Sequence, residues 1–279
     1  MKIGNKNFEL GNNHVYVMGI LNVTPDSFSD GGKHNNRDTM LKAAEEMVKD
    51  GVDIIDIGGE STRPGYTMIS NEEEIERVMP AIEIIKSNFD IPISLDTYKV
   101  DVAIPAISAG VDLINDIWGG KYLKGIENEK YKEDGMIGLV RDTNVAYCIM
   151  HNDENPMYTD VALDVKNDLL KTVEKCLACG IDKDKLMIDP GIGFAKTFED
   201  NLKVLNRLDI YNDVDIPLLL GASRKSVIAK TLNTDVNNRE EGTIAISVMA
   251  AEKKVKFVRV HNVLGNRRAL DMVEKIMES

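Results

Sequence analysis

Lys256-Phe257-Val258-Arg259-Val260-His261 is an apolar run of strand length that stops abruptly in polar residues. Successive side chains of an extended strand point to opposite faces. Val258 and Val260 therefore share one face, and Arg259 and His261 share the other. Runs of the same kind stand at 15–21, 53–58, 91–96, 111–115, 145–151, 185–189 and 216–221. All are rich in Val, Ile and Leu, as expected of parallel strands buried on both faces. Helix-period segments lie between them. Ser70 and Glu73 form an S-x-x-E capping box before Ile75, Val78, Ile82 and Ile85. Residues 161–179 read as a helix closed by Gly180, 240–252 and 266–277 as two more, and 102–109 as a short one. Eight strands alternating with helices over about 250 residues fit the α/β class as a (β/α)8 TIM barrel. An open doubly wound sheet is the competing architecture. No linker or composition break divides the chain, so a single domain over 1–279 is expected.

Polar residues collect where the runs end: Asn22, Glu60, Asp96, Asn115, His151, Asp189, Ser223, Arg259 and His261. In a barrel those ends form one rim, where active sites are built. A polar strand end is ordinary wherever a chain leaves a core, but the same pattern on eight consecutive runs asks for more. If Val258 and Val260 face the helices, Arg259 and His261 face the barrel axis, and in Ser94-Leu95-Asp96 the same rule turns Asp96 inward. Gly221, Ser223 and Lys225 leave the seventh run on a common side. Asp96, Asn115 and Asp189 then suit a flat heterocycle carrying an amidine-like N–H pair, because a carboxylate accepts two parallel N–H bonds. Arg63, Lys225, Arg259 and His261 suit a phosphate or diphosphate. For Lys225 and Arg259 the competing reading is pairing with surplus carboxylates.

The 279 residues carry 34 Lys and Arg against 46 Asp and Glu, a formal charge of −12. That balance disfavours nucleic acid and a polybasic membrane surface, which need a cationic face. No stretch approaches the ~20 apolar residues of a membrane span, and no signal peptide is visible. Cys148, Cys176 and Cys179 are too few and too clustered for a disulfide framework, which points to a reducing cytoplasm.

Several motifs fail on inspection. Gly191-Ile192-Gly193-Phe194-Ala195-Lys196-Thr197 resembles the end of a phosphate loop, but Pro190 and Ala195 stand where glycines are required. Cys176-Leu177-Ala178-Cys179 ends a helix, whereas a redox pair should open one. His14, His34, His151 and His261 lack zinc-type spacing, and there is no G-x-S-x-G elbow. Trp118, beside Gly119 and Gly120, reads as loop packing.

The motifs that remain resemble the dihydropteroate synthases over nearly the whole chain. The first is Gly19-Ile20-Leu21-Asn22-Val23-Thr24-Pro25-Asp26-Ser27-Phe28-Ser29-Asp30-Gly31-Gly32. It is followed in order by Gly59-Glu60-Ser61-Thr62-Arg63-Pro64-Gly65, Asp96-Thr97-Tyr98-Lys99 and Ile114-Asn115-Asp116-Ile117. Asp189-Pro190-Gly191-Ile192-Gly193-Phe194, Ser223-Arg224-Lys225-Ser226 and Arg259-Val260-His261 complete the series. The resemblance implies a barrel transferase of folate synthesis, joining (7,8-dihydropterin-6-yl)methyl diphosphate to 4-aminobenzoate with release of pyrophosphate. It implies Asp96, Asn115, Asp189 and Lys225 as pterin contacts and Asn22 as a Mg2+ ligand. Thr62, Arg259 and His261 would hold the diphosphate, and Arg63, Pro64, Phe194, Ser226 and Lys225 the aminobenzoate. Asp30 would close over both substrates, and Asp30, Lys225, Arg259 and His261 would carry catalysis. A homodimer and inhibition by sulfonamides are implied in the same way. On this reading Arg259→Ala should lower turnover far more than thermal stability.

Two stretches depart from the pattern. Asn262 stands where the family commonly has Asp, on the side away from the axis, so an indirect effect on His261 is expected. Residues 121–141 are long and charged and read as a surface excursion. A pterin-binding methyltransferase, which need not keep the diphosphate cluster, and a non-catalytic pterin-binding paralogue remain as alternatives.

Overall fold

Each of the eight apolar runs forms a strand. In the computed structural model, which describes residues 1–24, 33–61 and 67–279, they are β3 (Tyr16–Asn22), β4 (Ile54–Gly58), β5 (Ile93–Asp96) and β6 (Leu113–Asp116), then β7 (Ala146–Met150), β8 (Leu186–Asp189), β9 (Leu219–Leu220) and β10 (Phe257–Val260). All are parallel, in the order β8-β7-β6-β5-β4-β3-β10-β9. A parallel bridge between Ile188 and Leu218, with the Ile188 N–H donating to the Pro217 carbonyl at 3.0 Å, joins the two ends. The sheet is a closed barrel and not an open doubly wound one. β9 is short, and Pro217, which has no N–H to give a ladder, sits just before it.

Helices cover the outside: α1 (Lys33–Lys49), α2 (Asn71–Asn88), α3 (Val100–Ser108), α4 (Gly135–Thr143) and α5 (Val161–Ala178), then α6 (Phe198–Asn206), α7 (Ser226–Leu232), α8 (Glu240–Glu252) and α9 (Val263–Met277). Ser70 caps α2, its hydroxyl accepting the Glu73 N–H at 3.2 Å, while the Glu73 carboxylate pairs with Arg77 at 2.5 Å. The two-way capping box forms at Thr197 and Asp200 instead. Gly180 follows α5 at φ +92°, the left-handed geometry that favours glycine.

The stretch 121–141 is not simply a surface excursion. Its second half enters α4, which buries Met136, Ile137, Leu139 and Val140 against the sheet. α9 starts at Val263, three residues before the expected 266, because Asn262 caps it through the Gly265 N–H at 3.0 Å. The N-terminus adds an antiparallel hairpin, β1 (Lys2–Ile3) and β2 (Lys6–Asn7). Its Ile3 and Phe8 pack with Met18, Ile54, Leu113 and Phe257 in one buried apolar cluster. That cluster plugs one end of the barrel and leaves the C-terminal ends of the strands for chemistry.

Candidate active site

Strand register brings the rim residues together. Asn22 is the cross-strand partner of Gly58, Gly58 of Asp96, and Asp96 of Asn115. Partners on adjacent parallel strands share a face, so Asn22, Asp96 and Asn115 stand side by side with a gap at Gly58. A Cβ at Gly58 would lie 3.4 Å from Asn22 Oδ1 and 3.9 Å from the Asp96 Cβ, filling that gap. Gly221 opens a second space, since a Cβ there would come within 3.2 Å of Asp189 Oδ2 and 3.8 Å of Lys225 Nζ.

The centre of the site is ionic. Arg259 donates from Nε to Asp56 Oδ2 and from Nη2 to Asp96 Oδ2, both at 2.6 Å. Asp56 is wholly buried and also accepts the Ser94 hydroxyl at 2.5 Å. Arg259 is thus ion-paired through Nε and Nη2, and it does not stand in a purely cationic cluster. Asp96 Oδ1 is buried with no hydrogen-bond partner among the described residues. Burial pushes Asp96 up to about 7 despite Arg259, and Asp56 adds to the rise. Burial opposes the charge of Arg259, but Asp56 and Asp96 prevail and hold its pKa above the ordinary value.

Asp189 and Lys225 form the second half. Asp189 Oδ1 accepts the Gly191 N–H at 2.7 Å, and burial raises its pKa while Lys225 opposes the rise. Lys225 donates to the Ile192 carbonyl at 2.5 Å and stands over the Phe194 ring, 4.7 Å from its centroid. Burial pulls Lys225 down to about 8, with Asp189 resisting. His261 Nδ1 meets the Ser223 hydroxyl at 3.0 Å, and Ser226 opens α7 as an exposed residue.

Two strand-end residues leave this centre. Glu60 accepts from the Tyr98 hydroxyl at 2.8 Å, the Lys99 ammonium at 2.7 Å and the Ile69 N–H at 2.9 Å, and Glu74 shares Lys99 at 2.8 Å. His151 is buried against Lys196, with Nδ1 and Nζ 3.0 Å apart. Burial pulls His151 down to about 3, with Lys196 and Lys121 adding to the fall, and burial pulls Lys196 down to about 7. Asp30, Thr62, Arg63 and Pro64 lie outside the described residues.

The sequence reading passed over three participants. Asp56 had a signal, because Ile54, Asp56 and Gly58 alternate on one face as Arg259 and His261 do. Lys99 and Lys196 had none, since only the fold brings them to Glu60 and His151. The C-x-x-C pair is structural as expected: Cys176 is buried and pushed up to about 12.

For a divalent cation, Asn22 offers one amide oxygen at the rim beside Gly58. No group of three or more His, Cys, Asp or Glu side chains forms a metal site among the described residues. A single hard oxygen suits Mg2+, which keeps several waters and completes its shell with substrate phosphate oxygens.

Comparison with known proteins agrees with this geometry. The profile of the pterin binding enzymes matches residues 18–261. A dihydropteroate synthase of Clostridium beijerinckii is 49% identical over 278 residues, covering 99% of each chain. A crystal structure of dihydropteroate synthase from Clostridium difficile in the presence of pteroic acid matches with a TM-score of 0.87 at 43% identity, across 100% of both chains. One from Yersinia pestis, in a sulfonamide drug complex, has a TM-score of 0.87 at 37% identity over 100% of this chain and 99% of that one. The chain belongs to the pterin binding enzymes and, within them, to the dihydropteroate synthases.

Proposed function

We propose that the chain joins (7,8-dihydropterin-6-yl)methyl diphosphate to 4-aminobenzoate, giving 7,8-dihydropteroate and pyrophosphate. The observation that carries this reading is the buried, unpartnered Asp96 Oδ1 beside Asn115. A buried carboxylate oxygen without a donor is costly, and the N–H edge of a pterin ring supplies one. Docking such an edge would also hold Asp96 ionised, which its burial resists.

In the reaction the amine nitrogen bonds to the pterin methylene carbon as the carbon–oxygen bond to the diphosphate breaks. The bonding pair leaves with pyrophosphate and the amine releases a proton. An aromatic amine is a weak nucleophile, so the barrier falls mainly by stabilising charge on the leaving group and on the ring. Asp96 and Asp189 lie where positive charge spreading into the ring would meet carboxylates. Arg259 uses Nε and Nη2 on the carboxylates, and its Nη1 side makes no hydrogen bond to the described residues. That edge and His261 are assigned to the diphosphate, with Thr62. Asn22 would hold a Mg2+ ion, which when bound supplies charge neutralisation to diphosphate oxygens. Lys225, Phe194 and Ser226, with Arg63 and Pro64, are assigned to the aminobenzoate, and Asp30 to covering both substrates.

Pyrophosphate release measured with Mg2+ and both substrates, each omitted in turn, tests the assignment. Release should require all three, and a sulfonamide should compete with aminobenzoate. Release that ignores aminobenzoate, or methyl transfer from a folate in its place, overturns it. The three unpaired cysteines support a reducing cytoplasm as the working compartment, and no helix among the described residues is long and apolar enough to cross a membrane. The homodimer implied by the resemblance is tested by light scattering.

A further inference from the structure

The stretch from Gly191 to Thr197 fails as a phosphate loop because its polar groups are already engaged. The Gly191 N–H goes to Asp189 Oδ1 at 2.7 Å and the Gly193 N–H to Asn201 Oδ1 at 2.6 Å. Its carbonyls are gripped by side chains. Ile192 accepts from Lys225 at 2.5 Å and Ala195 from the Tyr158 hydroxyl at 2.8 Å. Gly191 and Phe194 both accept from Lys196, each at 3.1 Å. The third contact of Lys196 Nζ is His151 Nδ1 at 3.0 Å. An ammonium has three donors, so Lys196 keeps none for a substrate. With His151 neutral, Nδ1 accepts and Nε2 bears the proton, 3.7 Å from Asp168 Oδ2. The loop also passes very close to β7: a Cβ at Gly191, where φ is +68°, would lie 2.1 Å from the His151 carbonyl oxygen.

Lys196 therefore ties the end of β7 to the loop after β8, and that loop carries two features of the aminobenzoate side. One is the Phe194 ring, half-buried against Tyr98, Ile117 and Met150. The other is the Ile192 carbonyl, which fixes Lys225 above that ring. We propose that Lys196 and His151 are positioning residues that hold residues 191–195 as a platform for the aromatic amine and so set its affinity, without touching either substrate. The proposal rests on the assignment of Phe194 and Lys225 to aminobenzoate made above.

Steady-state kinetics on Lys196→Met, His151→Leu and His151→Asn test it, with thermal melting of every variant. Lys196→Met keeps the apolar stem and removes three donors, and losing one charge-assisted hydrogen bond's worth of order should raise the KM for aminobenzoate about tenfold. The KM for the pterin diphosphate and kcat should stay within about twofold. His151→Leu should behave alike, and the double variant should be no worse than either single one, because both break the same tie. His151→Asn places Oδ1 where Nδ1 stands and should restore most of the affinity. Overturning results are a parallel rise of both KM values, a fall in kcat alone, no change, or no rescue by asparagine. If Lys196→Met does not fold, the ratio of the two KM values in the His151 pair decides. Failure of the functional reading is separately visible, since wild-type pyrophosphate release would then not depend on aminobenzoate.

Discussion

The barrel interior has two halves built from the same strands, and two residues along a strand separate them. Near the N-terminal end the interior is apolar: Met18, Ile54, Leu113, Ala146, Met187, Leu219 and Phe257 pack with Ile3 and Phe8 of the hairpin. One step up the same alternating face, Ile54 gives way to Asp56, Leu113 to Asn115, Met187 to Asp189 and Phe257 to Arg259. The apolar half fills space and makes no polar demands. The polar half is nearly as buried, yet it contains carboxylates raised in pKa, a lysine lowered, and a carboxylate oxygen with no partner. Burial alone therefore does not mark the core of this protein. Burial with unmet polar demand marks the site, and the plug beneath supplies the rigidity that keeps those groups in place.

The largest expected effect comes from Arg259→Ala, which removes the cation joining the two carboxylates. Turnover in the pyrophosphate assay should fall by about a thousandfold or more, the scale of losing a preorganised charge at a leaving group. The ion pairs add a stability cost to the expected larger loss of turnover. Taking one partner from a buried pair leaves an uncompensated charge, costing about 3 kcal/mol. Asp96 already binds its proton more tightly in the fold, so its contribution to stability is present below its unfolded pKa and is lost as pH rises through about 7. The variant should consequently melt closer to wild type in acid than at pH 8. Equal melting at both pH values would show that Arg259 does not balance these carboxylates. Phe257→Ala probes the other half, where removing a fully buried ring costs about 3–5 kcal/mol. Its kcat/KM should stay within about twofold after correction for folded fraction. A Phe257 variant that melts normally but loses turnover would dissolve the distinction between the halves.

A subtler test uses Lys225. Its ammonium is present below about 8 and lost above it, so kcat/KM should fall about tenfold per pH unit on the alkaline side. The stability contribution runs the other way. Between about 8 and the ordinary lysine value the unfolded chain binds more protons, and this group's contribution to stability therefore rises with pH. Activity and melting temperature moving in opposite directions in that window would tie the limb to Lys225. Lys225→Arg, which stays charged, should flatten the limb at a lower plateau. Parallel loss of both signals would assign the limb to unfolding.

Apolar runs and period-two alternation together explain how much was readable beforehand. The continuous apolar runs located all eight strands, and alternation then turned Asp96, Arg259 and His261 toward the axis with no tertiary information. Alternation applied to Ile54-Ile55-Asp56 would have found Asp56, the carboxylate deepest in the pair. What escaped depends on contacts distant in sequence. Lys99 reaches Glu60 and Glu74 only after α2 and β5 pack together, and Lys196 reaches His151 across 45 positions. Helix α4 was hidden for a different reason. The charged residues from Lys121 to Asp134 outweigh its short apolar face, Met136, Ile137, Leu139 and Val140, in any window long enough to show periodicity. The hairpin strands have two residues each, too short to show alternation.

The smallest expected effect sharpens the boundary between site and scaffold. Asn262 follows His261 directly, and its departure from the family pattern raised the thought of a pocket that binds without turnover. The structure gives Asn262 another task. Its Oδ1 accepts the Gly265 N–H at 3.0 Å and its carbonyl accepts from Asn266 Nδ2 at 2.8 Å, so it caps α9, while His261 Nδ1 is held by Ser223. Asp and Asn cap helices about equally well. Asn262→Asp should therefore change stability by only a few tenths of a kcal/mol, gaining slightly from the helix dipole at low salt. Asn262→Ala should cost about 1 kcal/mol in thermal or denaturant melts. Neither should move kcat/KM beyond about twofold. A tenfold gain in turnover from Asn262→Asp would mean that the carboxylate acts on His261, and it would carry the polar half of the barrel one residue further along β10 than the geometry places it.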